Sequence, residues 1–495
     1  MASATLTRPR PGQPEAPARR RRPVPWPALA LLGLILGTAV GFFVRPTFPN
    51  YDSYYSLLWG REVLHGTMPS FDAYRAPTEH PLAIAFGALL SIVGDDADRI
   101  MVGATFASFV ILAAGMYRLA RASFTWVVGL IAAALLCTRF DFPFLAARAY
   151  IDIPYLALIV WAVALEAGHR RRGTPVFILL AAAGLLRPEA WLLSGLYWLW
   201  CIWPATWRRR ALYTALAAIG PVVWPAVDWI VTGDPLFSLT HTSGLAEELG
   251  RTRGLSEIPA ATVQFLESLD KVPVFYAGVL GLVVAIVLVP KRVGWPLAMF
   301  VIGMGTFVLV GLAGLSVIDR YLLVPSLMVM VFAAVTLGGW SMLRPGWLRR
   351  AWAVGALAIV AYGAVFTATR VQFNVFDNEL RFRGQSHAAL EALFRNPKVR
   401  AGMKCGPVSV PNHKLVPDTR WVLDAGVDDV IARSDPDSKR RLARGVAVYA
   451  TSRQALLRQG FTPDESAVED IQNSQPLPGY TWVAATSDYG AYVRC

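Results

Sequence analysis

The stretch Pro81-Leu82-Ala83-Ile84-Ala85-Phe86-Gly87-Ala88-Leu89-Leu90-Ser91-Ile92-Val93 decides how this chain is folded. It is apolar almost throughout, yet at roughly 13 residues it falls short of the ~20 that a helix needs to cross a bilayer. Counted as a crossing, it would place Arg118 and Arg121 outside and reverse every later loop. Read as an interfacial helix on the outer face, it leaves Arg118 and Arg121, Arg170 to Arg172, Arg208 to Arg210, Lys291-Arg292 and Arg349-Arg350 on one side. Short loops rich in Lys and Arg stay cytoplasmic. The interfacial reading is therefore the consistent one.

Working outward, the chain is 55% hydrophobic and only 16% charged, with a positive mean hydropathy. Its apolar residues come in runs of roughly 15–20, the usage of a polytopic helical membrane protein. The expected spans are Ala28–Val44, Ile100–Leu119, Trp126–Phe142, Ile153–Ala167, Pro175–Leu186, Ala190–Trp203, Ala211–Val231, Val272–Val289, Val293–Val317, Tyr321–Trp340 and Ala351–Thr369. That gives an all-α fold of about 11 transmembrane helices. The N-terminus is expected in the cytoplasm and the C-terminus outside, in a multi-pass protein of the plasma membrane. The net charge of +13 follows the cytoplasmic loops, so nucleic acid is not an expected partner.

Residues 1–27 read as a disordered basic cytoplasmic tail and residues 28–369 as the transmembrane catalytic domain. Residues 45–99 form the first outer loop, with two juxtamembrane helices, Asp52–Leu64 and Pro81–Val93. Residues 370–495 lack apolar runs and read as a small extracytoplasmic α/β domain. Val446 to Ala450 alternates like a strand, Ser452 caps a helix running to Gln459, and Tyr480 to Val493 suits a further strand or hairpin. Cys137 and Cys201 sit in apolar segments as small core residues. Cys405 and Cys495 both fall in the outer domain, where a disulfide and two free thiols are equally open.

The chemistry lies in polar residues on the outer side. The first loop supplies Asp52, Glu79 and His80. Later outer connections supply Arg148, Asp152, Arg187, Glu189, His241, Arg320 and Tyr321. Ionisable groups at membrane depth line cavities or pair with each other, so these segments are expected to build a polar cavity opening outward. Arginine forks suit a phosphate, and a carboxylate can serve as base for an attacking hydroxyl. Bland roles compete at each position. Asp52 and Asp152 each suit a helix N-cap, Arg187 and Glu189 suit each other as an ion pair, and His241 suits a plain loop. Glu79 and His80 leave a divalent metal open, but no spacing defines a site.

The order of these elements resembles the GT-C membrane glycosyltransferases, in the branch of protein O-mannosyltransferases and lipid A aminoarabinose transferases. The resemblance rests on Tyr51-Asp52-Ser53-Tyr54-Tyr55 with Gly66, Glu79-His80-Pro81-Leu82, and Tyr117-Arg118-Leu119-Ala120-Arg121. It continues through Arg148-Ala149-Tyr150-Ile151-Asp152, Gly184-Leu185-Leu186-Arg187-Pro188 and Arg320-Tyr321-Leu322-Leu323. It spans about Ala28 to Trp340. Ser53 stands where the family often has Glu, and His80 where it has Pro.

The resemblance implies a hexosyl- or pentosyltransferase. Such an enzyme moves a sugar from a polyprenyl-phosphate carrier to a glycan, lipid or protein acceptor in the envelope, with membrane lipid around it. It implies Asp52 as base, Asp152 as a second site acid, and His80 with the arginines as phosphate ligands. Two other classes stay open: a transporter or flippase for a lipid-linked sugar, and a non-catalytic assembly protein.

Overall fold

The computed structural model describes residues 26–370, 373–457 and 476–495. Most of the expected basic tail, and the end of the helix expected to reach Gln459, lie outside them. The chain runs through helices α1 (Trp26–Val44), α2 (Tyr51–Leu64), α3 (Pro81–Ser91), α4 (Ala97–Ser123), α5 (Trp126–Thr138), α6 (Asp141–Ala147) and α7 (Asp152–Gly168). It continues through α8 (Thr174–Gly184), α9 (Glu189–Ile202), α10 (Trp207–Thr232), α11 (Phe237–Glu248), α12 (Ile258–Asp270), α13 (Val272–Leu288), α14 (Gly294–Leu312), α15 (Leu323–Gly338) and α16 (Trp347–Arg370).

This is an all-α, multi-pass membrane protein with a small C-terminal α/β region. Among the described residues, six helices are long and apolar enough to cross a membrane, and eight spans result if each of two bent pairs counts as one. The expected total of 11 also counts α7, α8 and α9, which have 17, 11 and 14 residues. Helix α15 is apolar all round and buried along nearly its whole length, as a helix at the centre of a bundle must be.

Three expectations are revised by the backbone. The run Trp126–Phe142 is broken, because the chain turns by 64° between α5 and α6. The outer loop from Thr232 to Lys271 is not irregular but carries α11 and α12, and His241 sits inside α11 rather than in a loop. The second bend, 107° between α12 and α13, falls at Lys271, whose φ is +62°. The segment read as interfacial forms α3, 11 residues long, which packs along α2. The two backbones meet where Gly60 faces Gly87 and Ala88, so a Cβ on either glycine would overlap the opposite main chain.

After α17 (Phe373–Arg395) and α18 (Pro397–Met403), the chain forms β1 (Val408–Val410), α19 (Val416–Leu423), β2 (Val430–Ala432), β3 (Gly445–Ala450), β4 (Thr481–Ala485) and β5 (Tyr489–Arg494). The sheet order is β2-β1-β3-β5-β4, parallel across the first three strands and antiparallel for the β4–β5 hairpin. Leu390, Leu393 and Val399 from the helices pack on Val408, Val446, Val448 and Tyr489. Ser452 caps its helix by accepting a hydrogen bond from Ala455 N at 3.0 Å. A disulfide joins Cys405 to Cys495, tying the end of β5 to the entry of β1, while Cys137 and Cys201 are free.

This α/β region is seated on the first outer loop by charged pairs: Arg45–Asp377 at 2.5 Å, Arg61–Asp424 at 2.6 Å and Arg420–Glu62 at 2.6 Å. At the centre of the seam, the buried ring of His387 stacks on Phe48 and bonds to Tyr54 and Asp418. Glu391 and Asp98 also face it, at 3.6 and 4.0 Å. Burial alone would depress its charged form, but these carboxylates, Asp418 foremost, hold its pKa at about 9.

Two outcomes follow. A raised folded pKa stabilises below the unfolded value near 6.5 and is lost as pH rises through about 9, a contribution of order 3 kcal/mol. Thermal denaturation should therefore show a loss between about pH 6 and about pH 10, and His387→Gln should remove that pH-dependent part. Thiol labelling of the denatured, unreduced protein should mark Cys137 and Cys201 only; labelling of Cys405 would contradict the bridge.

Candidate active site

The site is assembled where α2, the turn before α7, the α8–α9 junction and the start of α15 converge. Asn50, not Asp52, caps α2, since its side chain accepts from Ser53 N at 2.8 Å. The carboxylate of Asp52 is thus freed from the capping role. The turn before α7 is fastened to the same place: Thr47 donates to Ala147 O, Asn50 N to Arg148 O and Ser53 Oγ to Ala149 O. Ala149 is held at φ +56°, a conformation an L residue adopts only when its surroundings impose it. Those bonds fix where Tyr150 and Asp152 point.

Asp152 is fully buried and opens α7, but its oxygens do not cap the helix. Arg187 donates to one oxygen, and Arg320 donates to the other at 2.7 and 3.2 Å. Arg187 spends its remaining edge on Glu189, at 2.8 and 3.1 Å. Arg320 reaches past Asp152 to Asp52 with a single contact of 3.2 Å. The guanidinium planes lie over aromatic rings, Arg187 over Tyr155 and Tyr321 and Arg320 over Tyr150. Planar cations on aromatic faces gain cation–π energy where water is scarce.

A cavity of about 350 Å³ opens over this network, lined by Asp52, His80, Tyr150, Arg187, Arg320 and Tyr321 among others. An apolar chamber of about 230 Å³ adjoins it, walled by Trp191, Trp224, Leu236, Leu239, Val310 and Leu315. Thr78, His80, Arg187, Thr242 and Tyr321 border both spaces. His80 stands at the junction, edge-on to Trp224, with its Nδ1 buried and unpartnered among the described residues. Burial, helped by Arg187 and Arg320, lowers its pKa to about 3, so the ring is neutral.

Five of the residues named from sequence lie outside the wall of this cavity: Asp152, buried behind the arginines, Glu189, which lines only the apolar chamber, and Arg148, Glu79 and His241. Arg148 donates to Phe48 O at 2.7 Å and anchors the loop after α1. Glu79 points away, under α10 and α11, where Ser238 donates to it at 2.8 Å and also to Asp228. Burial raises the Glu79 pKa to about 7. His241 contacts Ala76 O at 3.1 Å and stacks on Phe237, bracing the loop that carries His80. Sequence reasoning did not single out Arg75, Arg251, His413 and Lys414, which line the cavity from three distant segments. No motif surrounds them, so only the fold brings them together.

The donor set does not suit a divalent metal. Asp52 and Asp152 converge on Arg320, whose positive charge stands where a cation between them would sit. Among the described residues no group of three or more His, Cys, Asp or Glu side chains could hold an ion.

An apolar helical bundle, the paired helices α2 and α3, a polar site beside them and a docked α/β region are a fold this chain shares with solved membrane glycosyltransferases of the GT-C type. The solved structure of ArnT from Cupriavidus metallidurans bound to undecaprenyl phosphate superposes with a TM-score of 0.53 at 13% identity, over 95% of this chain and 98% of that one. The apo oligosaccharyltransferase of Archaeoglobus fulgidus gives 0.51 at 12% identity, over 86% and 70%. The form of that enzyme tethered to an acceptor peptide gives 0.51 at 11%, over 95% and 74%. No family model and no curated protein matches the sequence.

The geometry separates the two acids energetically. Asp152→Asn leaves two buried arginines without their shared counter-charge and should cost about 3–5 kcal/mol. Asp52, at 22% side-chain exposure with one contact, should lose no more than about 1 kcal/mol on conversion to Asn. Melting temperatures of the two variants in the same detergent check this, and equal losses would contradict it.

Proposed function

We propose that the protein is a glycosyltransferase that moves a sugar from a polyprenyl-phosphate carrier to an envelope acceptor on the extracytoplasmic face. One observation carries the reading: a partly exposed carboxylate, Asp52, faces a cavity whose wall is shared with an apolar chamber. An amphiphile can place its phosphate and sugar in the first and the start of its chain in the second. The shared fold supports this, since the ArnT structure holds undecaprenyl phosphate. The acceptor class stays broad: glycan, lipid or protein.

In this reaction the acceptor oxygen attacks the anomeric carbon while the bond from that carbon to the phosphate oxygen breaks. The hydroxyl proton passes to Asp52, the carrier leaves as the polyprenyl phosphate, and the anomeric configuration inverts. Arg320 stabilises the charge that grows on the phosphate. As the phosphate draws on Arg320, the single Asp52 contact is the one that yields, leaving the carboxylate free to accept a proton. Asp152 is a positioning residue: it fixes both guanidinium groups and is itself inaccessible. Neutral His80 can donate one hydrogen bond at the mouth of the chamber. The Lys/Arg-rich loops support a cytoplasmic N-terminus and a C-terminal region outside, and the Cys405–Cys495 bridge suits that side.

Purified protein with an undecaprenyl-phosphate-linked mannose or arabinose donor tests the assignment. Asp52→Asn should lower turnover by about 10²–10⁴-fold, the usual share of general base catalysis, with carrier binding retained. Wild-type turnover in that variant would remove Asp52 from the mechanism.

A further inference from the structure

The inner arginines are ion-paired at the base of the cavity. Arg187 donates to Asp152 and Glu189, and Arg320 donates to Asp152 and Asp52. Yet five cationic side chains line the cavity, Arg75, Arg187, Arg251, Arg320 and Lys414, against the single carboxylate of Asp52. The other three, Arg251 exposed and Arg75 and Lys414 half-buried, line the cavity but not the apolar chamber and so mark its water-facing side.

The rim is built rather than incidental. Arg75 has φ +53°, a left-handed backbone that its neighbours impose. Tyr51 donates to its carbonyl at 2.6 Å, and Glu248 holds its guanidinium at 2.9 Å. Opposite, Asn412 accepts from Lys414 N at 3.0 Å and sets the turn of helix that presents His413 and Lys414. The buried ring of His413 meets the edges of Tyr51 and Tyr74, with Nδ1 unpartnered among the described residues. Burial, and then the charges of Arg75, Lys414 and Arg251, lower its pKa to about 3. Three cationic side chains thus face this buried ring, and the C-terminal region supplies one of them, Lys414.

We propose that Arg75, Arg251 and Lys414, with His413, form a second anion subsite at the water-facing rim of the cavity, which takes a phosphate-like group. This deepens the glycosyltransferase reading by adding a charge to the substrate pair. The group belongs either to the acceptor or to the carrier phosphate. Placement opposite the apolar chamber favours an acceptor carrying a negative charge, steered to the site by rim cations.

The test uses the full chain in nanodiscs of neutral lipid and two probes, inorganic phosphate and undecaprenyl phosphate, titrated calorimetrically. The variant is Arg251→Gln/Lys414→Gln, and Arg251→Gln alone, at an exposed position, guards against a folding defect. The double variant should bind inorganic phosphate about tenfold more weakly, and the wild-type affinity should fall as salt rises. Unchanged affinity for undecaprenyl phosphate would assign the subsite to the acceptor. A parallel loss would assign it to the carrier phosphate. Equal phosphate binding by wild type and variant, or none by either, overturns the subsite. Wild-type protein that binds inorganic phosphate at the rim but never undecaprenyl phosphate would instead count against the carrier reading, with the rim intact.

Discussion

The structure depends on one charged contact, the guanidinium of Arg320 held against the buried carboxylate of Asp152. A lone ion in a helical bundle is prohibitively costly, so each charge there must find its opposite. Asp152 comes from the start of α7, Arg187 and Glu189 from the α8–α9 junction, and Arg320 from the turn before α15. Satisfying the charges forces those helix ends together, and Asp52 from α2 completes the set. The cluster is a geometric constraint before it is a chemical one. Backbone bonds from the Thr47–Ser53 segment to residues 147–149 repeat the same convergence without charge.

The C-terminal α/β region belongs to this constraint as well. Its helix α19 lies against α2, with Arg420 buried on Glu62 and Trp421 near both Tyr54 and Arg61. Tyr54 lies on the same helix as Asp52 and bridges His387 to Asp98. The helix that carries the candidate base is therefore gripped on one side by the membrane bundle and on the other by the α/β region. Because His413 and Lys414 also line the cavity, the region closes the site rather than standing beside it.

Much of this was legible in the sequence, for a physical reason. Hydrophobic runs and Lys/Arg loops record the bilayer directly, so the bundle and the short helix α3 could be read. The convergence of Asp52, Asp152, Arg187 and Arg320 could be inferred because charges near an apolar bundle have few places to go. The capping readings of Asp52 and Asp152 failed because a cap is a local preference. Asn50 satisfied it at α2, and two arginines outcompeted backbone amides at α7. Helices α11 and α12 were missed since their polar faces break the long apolar runs that mark spans. Arg75, Arg251 and Lys414 were invisible because surface cations carry no periodicity, and their meeting depends on how two regions dock.

The adjoining polar and apolar spaces bear on what the site can accept. A water-soluble sugar donor would leave the chamber walled by Trp191, Trp224 and Val310 unfilled, and a plain lipid would leave the arginines unused. Only a molecule with a charged head and an apolar chain satisfies both walls at once, with His80 and Tyr321 at the dividing line. The division also orients the reaction. On the proposed reading, a chain fixed in the chamber would direct the anomeric carbon toward the open cavity, where Asp52 is the one carboxylate on the wall among the described residues. On the same reading, the side left open to an acceptor is the one to which the α/β region contributes His413 and Lys414.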